Sequence, residues 1–316
     1  MEDDCSIEGI EGKHHPRVML ALGMFDGVHL GHQAVLNLAV EQAKEFAGTA
    51  IAFSFPEHPA TLLRPEQAPP LLMNAETKAR HLVKRGMKEV ILQPFNQEFS
   101  QIEASRFIEF LTRHIPTLHT LCVGKNFRFG KNRMGDHAFL QETAHSAGLK
   151  VLVADSESWG DHPISSSRIR VALTEGRIEE VNQMLGREYV MEGLVCPGNA
   201  VGREIGFPTL NLNWSPQAHP VFGVYAGTAT NLETGQKLPA VANYGLRPTL
   251  EELNTEPLLE VHLLEEPEAE HWKPGIELQM EVHSFLRTER AFESLEELKA
   301  QIQLDKNQAL AMRTSL

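Results

Sequence analysis

Between residues 17 and 155 the chain alternates short apolar runs with longer amphipathic segments. The apolar runs are RVMLALGMF (17–25), TAIAFSF (49–55), EVILQ (89–93), TLCVG (120–124) and KVLVAD (150–155). Runs of this length without polar alternation predict parallel strands buried on both faces. The segments between them have helical spacing. HLGHQAVLNLAVEQAKEF places Leu30, Ala34, Val35 and Leu38 on one face, and EASRFIEFLTRHI does the same with Phe107, Ile108 and Leu111. Strand–helix alternation predicts a doubly wound α/β sheet, whose ligands bind at the carboxyl ends of the strands near the topological switch point.

The grammar changes further on. ISSS (164–167) opens a helix that Gly176 ends, and a second short helix, RIEEVNQML (177–185), stops at Gly186. From Tyr189 to Leu286 the segments are short, rich in β-branched and aromatic residues, and separated by Gly, Pro and Asn: YVMEGLV, FPTLNLN, GVYAGTAT, LPAVANYG, LLEVHLL and IELQMEVHSFL. About six such strands predict a small antiparallel β-barrel. SLEELKAQIQLDKNQAL predicts a terminal helix capped by Ser294. With 316 residues and no internal repeat, the chain divides into two domains, 1–186 and 187–316.

Composition narrows the function classes. A formal charge of −13 disfavours nonspecific nucleic-acid binding, and no apolar stretch is long enough to span a bilayer. The first residues, MEDDCSIEGIEGKHH, do not resemble a secretory signal, and three distant cysteines, Cys5, Cys122 and Cys196, argue against a disulfide framework. A cytoplasmic protein without nucleic-acid or membrane partners is expected. Basic residues are nevertheless clustered: Lys125, Arg128, Lys131 and Arg133 in GKNFRFGKNR, and Arg168 and Arg170 in SRIR. Such islands suit a compact anionic ligand, with scattered surface charge as the competing reading.

The candidate chemistry begins at the end of the first predicted strand, in GMFDGVHLGH (23–32). A strand that passes through Asp-Gly into a helix exposes backbone N–H groups at a helix N-terminus, where the dipole favours anions. His29 and His32 are three apart and share one face of the first turn. Gly31 leaves room for a nucleotide to approach the backbone. A zinc site would need further ligands at recognisable spacing, which the sequence does not offer. No Gly-x-Ser-x-Gly elbow marks a hydrolase, and no Gly-x-Gly-x-x-Gly marks a nicotinamide dinucleotide site. Two ordinary surface histidines remain the competing reading. In ISSSRIR, Ser165, Ser166 or Ser167 is either a helix cap or a phosphate ligand, and Arg168 has the fork geometry for a triphosphate.

The second half has its own constellation. VGREIGFPTLN carries Gly202 and Gly206, whose spacing allows close backbone approach to phosphates, with Thr209 and Asn211 as hard oxygen donors suited to Mg²⁺ held with ATP phosphates. LLEVHLL places Glu260 and His262 on one face of a strand. On these residues alone, FPT also reads as a strand entry and Glu260 as a structural acid.

FDGVHLGHQ and ISSSRIR resemble the paired signatures of the HIGH-type nucleotidyltransferase superfamily, with its Rossmann-like domain. In their order, FDGVHLGHQ, FSFPEHP, VGKNFRFGKNRMGD and ISSSRIR are similar to the FMN adenylyltransferase module of bacterial bifunctional riboflavin kinase/FAD synthetases. GREIGFPTLN, GVYAG, ANYGLRPT, LEVHLL and LRTERAFESLEELKAQIQLD are similar to the riboflavin kinase module of the same family. The resemblance covers the chain from about Val18 to Asp305. It implies ATP sites at Gly23, Phe25, Asp26, His29, His32, Asn126, Ser165, Ser166 and Arg168 in one domain, and at Gly198, Gly202, Gly206, Thr209 and Asn211 in the other. It implies Glu260 as the base of the kinase, His29 and His32 as the catalytic pair of adenylyl transfer, and Mg²⁺ at Thr209 and Asn211. ATP, riboflavin and FMN are then partners as substrates and FAD a product, none a prosthetic group, in a monomer or weak homo-oligomer.

Departures from the family pattern are local. PTLN has Leu210 where the family has Ala, and SSS replaces Ser-Ser-Thr. The stretch 265–275 diverges, so no flavin contact is carried into it, and Trp272 there is a candidate for substitute packing. Two other classes stay open at this stage: a nucleotidyltransferase for another phosphorylated alcohol with a regulatory barrel, and a flavin-binding protein that does not consume ATP.

Overall fold

The computed structural model describes residues 6–10, 14–197, 206–246, 257–268 and 270–313. Gly198 and Gly202 lie outside the described residues. Packing divides the chain into two compact units, Met1–Arg168 and Ile169–Leu316.

In the first unit, β1 (Val18–Leu22), α1 (Leu30–Glu45), β2 (Thr49–Ser54), α2 (Ala60–Leu63), α3 (Ala75–Lys84), β3 (Glu89–Leu92), α4 (Gln97–Ser100), α5 (Phe107–His114) and β4 (Leu118–Gly124) follow in order. A hairpin of β5 (Arg128–Phe129) and β6 (Gly135–Asp136) precedes α6 (His137–Ser146) and β7 (Lys150–Ala154). A second hairpin, β8 (Ser158–Trp159) with β9 (His162–Pro163), closes the unit. The five longer strands are the five predicted ones. They pair in parallel in the order β3-β2-β1-β4-β7.

Every residue of β1 is buried, because helices cover both faces of the sheet. Met19 and Ala21 pack with Val35, Leu36 and Ala39 of α1 and Leu82 of α3. Leu20 and Leu22 pack with Phe107 and Leu111 of α5 and Leu140 of α6. The apolar stripe of α1 is rotated from the one its spacing predicts. Val35, Leu36 and Ala39 are buried together with Gln33, whereas Leu30, Ala34 and Leu38 are half-buried. Gln33 sets this phase by turning inward, where its Nε2 donates to the Val28 carbonyl at 2.9 Å.

The strand order reverses direction between β1 and β4. Loops leaving the carboxyl ends of these neighbours diverge to opposite faces and leave a crevice between them, the usual ligand position in such sheets. GMFDGVHLGH leaves β1 there, and GKNFRFGKNR leaves β4 beside it.

α7 (Ser166–Thr174) begins as the first unit ends, and α8 (Ile178–Leu185) stops at Gly186 in the left-handed conformation. Strands β10 (Tyr189–Cys196), β11 (Leu210–Asn213), β12 (Gly223–Asn231), β13 (Lys237–Leu246), β14 (Pro257–Leu263) and β15 (Glu277–Thr288) are the six predicted. They close as an antiparallel barrel in the order β10-β11-β14-β13-β12-β15. Leu212, Tyr225, Tyr244, Leu259 and Val261 are fully buried or nearly so. At Gly227 a Cβ would lie 2.0 Å from the Glu281 carbonyl oxygen, so only glycine lets β12 and β15 approach across the bulge between Ala226 and Gly227.

The terminal helix α9 (Leu295–Arg313) starts as predicted, with the Glu297 N–H donating to Ser294 Oγ at 3.1 Å. It is tied to the barrel by Arg287 of β15, which grips the buried Asp305 carboxylate through Nε at 3.0 Å and an Nη at 2.8 Å. Among the described residues, no helix is long and apolar enough to cross a membrane.

Candidate functional site

The loop after β1 is held in an unusual backbone conformation. Phe25 (φ 50°), Gly27 (φ 83°) and Val28 (φ 42°) all lie in the left-handed region. For a β-branched residue such as Val28 that conformation is strained, and it persists only where surroundings over-determine it. Here they do. The Met24 carbonyl accepts from Ser54 Oγ at 2.8 Å and from Lys78 Nζ at 3.4 Å. The Asp26 carboxylate accepts the Leu72 N–H at 2.9 Å. The Asp26 carbonyl accepts Ser166 Oγ at 2.9 Å. A Cβ at Gly23 would stand 2.8 Å from the buried Phe25 ring, so any larger residue there must displace that ring.

The loop delivers two histidines to the start of α1. His29 is the N-cap, and its Nδ1 accepts the His32 N–H at 3.3 Å. An accepting Nδ1 leaves the proton of a neutral imidazole on Nε2. The two rings stack with centroids 3.6 Å apart, and the Phe25 ring meets His32 edge-on at 5.5 Å. His32 keeps partial solvent contact, yet its ring lies among buried groups. Desolvation first, then His29 and Lys78, hold its pKa well below the usual histidine value. The pair therefore presents hydrogen-bond donors with a neutral imidazole at His32 at neutral pH. His32 Nδ1 is buried and has no hydrogen-bond partner among the described residues. No group of three His, Cys, Asp or Glu side chains among those residues is arranged to hold a metal.

ISSSRIR reaches this loop from the far end of the unit. Ser165 caps α7 by accepting the Arg168 N–H at 3.3 Å, while Ser166 makes the bond to Asp26. Arg168 does not project openly: its Nη1 donates to the carbonyls of His162 at 2.8 Å and Pro163 at 3.0 Å, and its guanidinium lies 5.8 Å from the Trp159 ring centroid. It latches the β8–β9 hairpin to the start of α7. Asn126 is exposed in the turn after β4, beside the crevice. In the basic loop that follows, Arg128 pairs with Asp136 and Lys131 with Glu103.

In the barrel, β11 sets Asn211 directly opposite Glu260 of β14, and β13 sets Asn243 opposite Glu260 on its other side. Opposed residues share a face, so the three form one polar row. Their chain neighbours Leu212, Leu259, Val261, Ala242 and Tyr244 are buried, which assigns the row to the other side of the wall. Asn211 is buried and Glu260 half-buried. Thr209 is exposed just before β11 and Gly206 is exposed three residues earlier. His262, two residues beyond Glu260, donates from Nδ1 to the Pro208 carbonyl at 2.7 Å and so pins the segment that carries Thr209. Burial lowers the His262 pKa against the opposing effect of that bond, and Lys306 lowers it further.

A cavity of about 430 Å³ is lined by Asn211, Trp214, His219, Tyr244, Pro257 and Leu258. Within it Tyr244 OH bonds His219 Nδ1 at 2.5 Å, and burial pushes the phenol up to about 12. Trp272, from the divergent stretch, is buried elsewhere and donates to Gln236 Oε1 at 2.7 Å, bracing the β12–β13 turn.

Comparison with known proteins matches both units. The family model for FAD synthetase matches residues 11–168, half of the chain, and that for riboflavin kinase matches residues 185–313. The bifunctional riboflavin kinase/FMN adenylyltransferase of Escherichia coli K12 is 35% identical over 91% of this chain and 90% of its own. Its namesake from Haemophilus influenzae is 36% identical over 94% of both, and that from Bacillus subtilis 32% identical over 94% and 93%. The chain belongs to the bifunctional riboflavin kinase/FMN adenylyltransferase family. A crystal structure titled as a macrolide-efflux protein from Streptococcus pneumoniae shares the architecture, with a TM-score of 0.83, 25% identity and 95% coverage of each chain.

Within this family frame, the roles of three residues are not read from the motifs, although Ser54 and His262 lie within quoted segments. Ser54 and His262 act on neighbouring carbonyls, a role that sequence does not advertise. Lys78 had a visible signal: a lysine four positions before Leu82, on the buried face of amphipathic α3.

Proposed function

We propose that the chain makes FAD from riboflavin in two successive transfers, with residues 1–186 serving FMN adenylylation and 187–316 serving riboflavin phosphorylation. One observation carries this reading: signature segments far apart in sequence meet in space, Ser166 on Asp26 in one unit and Asn211 opposite Glu260 in the other.

In the kinase reaction, Glu260 takes the proton of the riboflavin 5′-hydroxyl as that oxygen attacks the γ-phosphorus of ATP, and ADP leaves. Asn211 and Thr209 fit a hard cation: a buried amide beside a carboxylate and an exposed hydroxyl near it supply oxygen donors only. They would hold Mg²⁺ with the ATP phosphates, and that ion supplies charge neutralisation. Gly198, Gly202 and Gly206 would flank the phosphates, with His262 fixing the segment through Pro208.

In the adenylylation, an FMN phosphate oxygen attacks the α-phosphorus of a second ATP. The bond from that phosphorus to the bridging oxygen breaks, and pyrophosphate leaves. No protein nucleophile takes part. His29 and His32 donate hydrogen bonds to the phosphates from the head of α1, where the helix dipole adds to them. Gly23, Phe25 and Asp26 shape the loop, and Asn126, Ser165, Ser166 and Arg168 border it. For Arg168 to reach a triphosphate, it must exchange its hairpin carbonyls for phosphate oxygens.

The test is direct. The purified chain is incubated with riboflavin, ATP and Mg²⁺, and flavins are separated over time. FMN should appear first and FAD with pyrophosphate afterwards. Riboflavin left unchanged, or ATP-independent binding alone, overturns the reading.

A further inference from the structure

Lysine is among the residues least often fully buried, because removing its ammonium from water is costly unless it is paired. Lys78 is 0% exposed. Its Nζ donates to the Phe55 carbonyl at 2.5 Å and the Met24 carbonyl at 3.4 Å. These acceptors belong to two different signature segments, FSFPEHP and GMFDGVHLGH. The Asp26 carboxylate acts on the ammonium as a favourable charge, and the ammonium in turn disfavours protonation of His32. One cation thus touches or biases four elements of the adenylylation site. It does so beside Phe25 and Val28, whose left-handed backbone needs external bracing.

We propose that Lys78 is a positioning residue for adenylyl transfer: its ammonium clamps the Met24 and Phe55 carbonyls and holds the loop that carries Asp26 and His29. It contacts no reacting atom in this scheme and acts through the loop and the histidine. The inference rests on the reading of the first unit as the FMN adenylylation site.

The charge requirement gives a readout that simple packing would not. Burial lowers the Lys78 pKa to about 8, against the opposing effect of Asp26. The titratable groups that face it are Asp26 from the loop and His32 from α1, on which His29 stacks. As pH rises through this range the ammonium is lost, the clamp weakens, and adenylylation should fall.

The experiment uses the full chain, in which the kinase reaction is an internal measure of folding. Lys78→Met keeps the buried aliphatic stem and removes the charge. FMN-to-FAD conversion should drop at least tenfold, mainly in kcat, with riboflavin phosphorylation within twofold of the parent. The parent should show an alkaline loss of adenylylation near pH 8 that the kinase reaction lacks, and the residual activity of Lys78→Met should lack it too. Adenylylation within threefold of the parent in Lys78→Met overturns the proposal. If that variant does not fold, the parent's profile decides: a flat rate from pH 7 to 10 overturns it, and the alkaline loss supports it. A parent chain that makes no FAD at all overturns the site reading instead, which separates the two failures.

Discussion

The Ser166 hydroxyl donates to the Asp26 carbonyl at 2.9 Å, across 140 positions of chain. The bond joins the helix start of ISSSRIR to the strained loop that presents His29. Removing one partner of a partly buried hydrogen bond costs about 1–3 kcal/mol. Ser166→Ala should therefore slow FMN adenylylation by roughly 10- to 100-fold, because loop geometry and not substrate affinity is lost. Riboflavin phosphorylation by the same sample should be unchanged. Equal loss of both activities would show a general fold defect instead.

Glu260 faces Asn211 and Asn243 across two strand pairs, and Glu260→Gln preserves its shape and one acceptor oxygen in the row. What it removes is the proton acceptor. General-base catalysis is worth roughly 10²- to 10⁴-fold, and riboflavin phosphorylation should fall by that amount. FMN supplied directly should still be converted to FAD at close to the parent rate. Kinase activity near that of the parent would leave Glu260 as a structural acid only.

Arg287 and Asp305 form a two-point ion pair between β15 and α9, with the Asp305 side chain 5% and the Arg287 side chain 21% exposed. Breaking a buried pair from one side strands the other charge, at a cost of roughly 3 kcal/mol. Asp305→Ala should lower the denaturant midpoint, read by far-UV circular dichroism. Arg287→Met with Asp305→Leu should recover most of the loss, since two apolar groups leave no buried charge.

Legibility in the sequence followed the physics of each feature. The strands of both units were readable because burial on two faces leaves an uninterrupted apolar run, and barrel strands are punctuated by turn residues. The stripe on α1 was misplaced because Gln33 is polar by type but turned inward by the Val28 carbonyl, a bond that no periodicity encodes. The histidine pair was visible from its spacing and the Asp-Gly before it, but its stacking and the cap role of His29 were not. Arg168 reads as a free guanidinium in ISSSRIR, yet backbone carbonyls of β8–β9 occupy it, and backbone acceptors carry no residue signature. The row of Asn211, Glu260 and Asn243 depends on strand register, which composition does not fix.

His32 predicts a pH dependence of stability with a definite sign. Its folded pKa lies well below the unfolded value of 6.5, chiefly through desolvation. Between those two values the unfolded chain holds more protons than the folded one, so stability rises with pH in that window and falls as pH drops through 6.5. His262 shifts in the same direction and adds to the effect. The urea midpoint should accordingly decline between pH 6.5 and 5. His32→Gln removes one of the histidines whose folded pKa is lowered, so its midpoint should decline less over that interval, whatever its value at pH 7. The assignment can be checked residue by residue from the His32 ring proton shifts, which should titrate in the folded chain only below the range of an exposed histidine. A His32 ring that titrates at or above 6.5 in the folded chain would mean that an imidazolium stands at the head of α1, and the neutral-donor account of the pair would have to be abandoned.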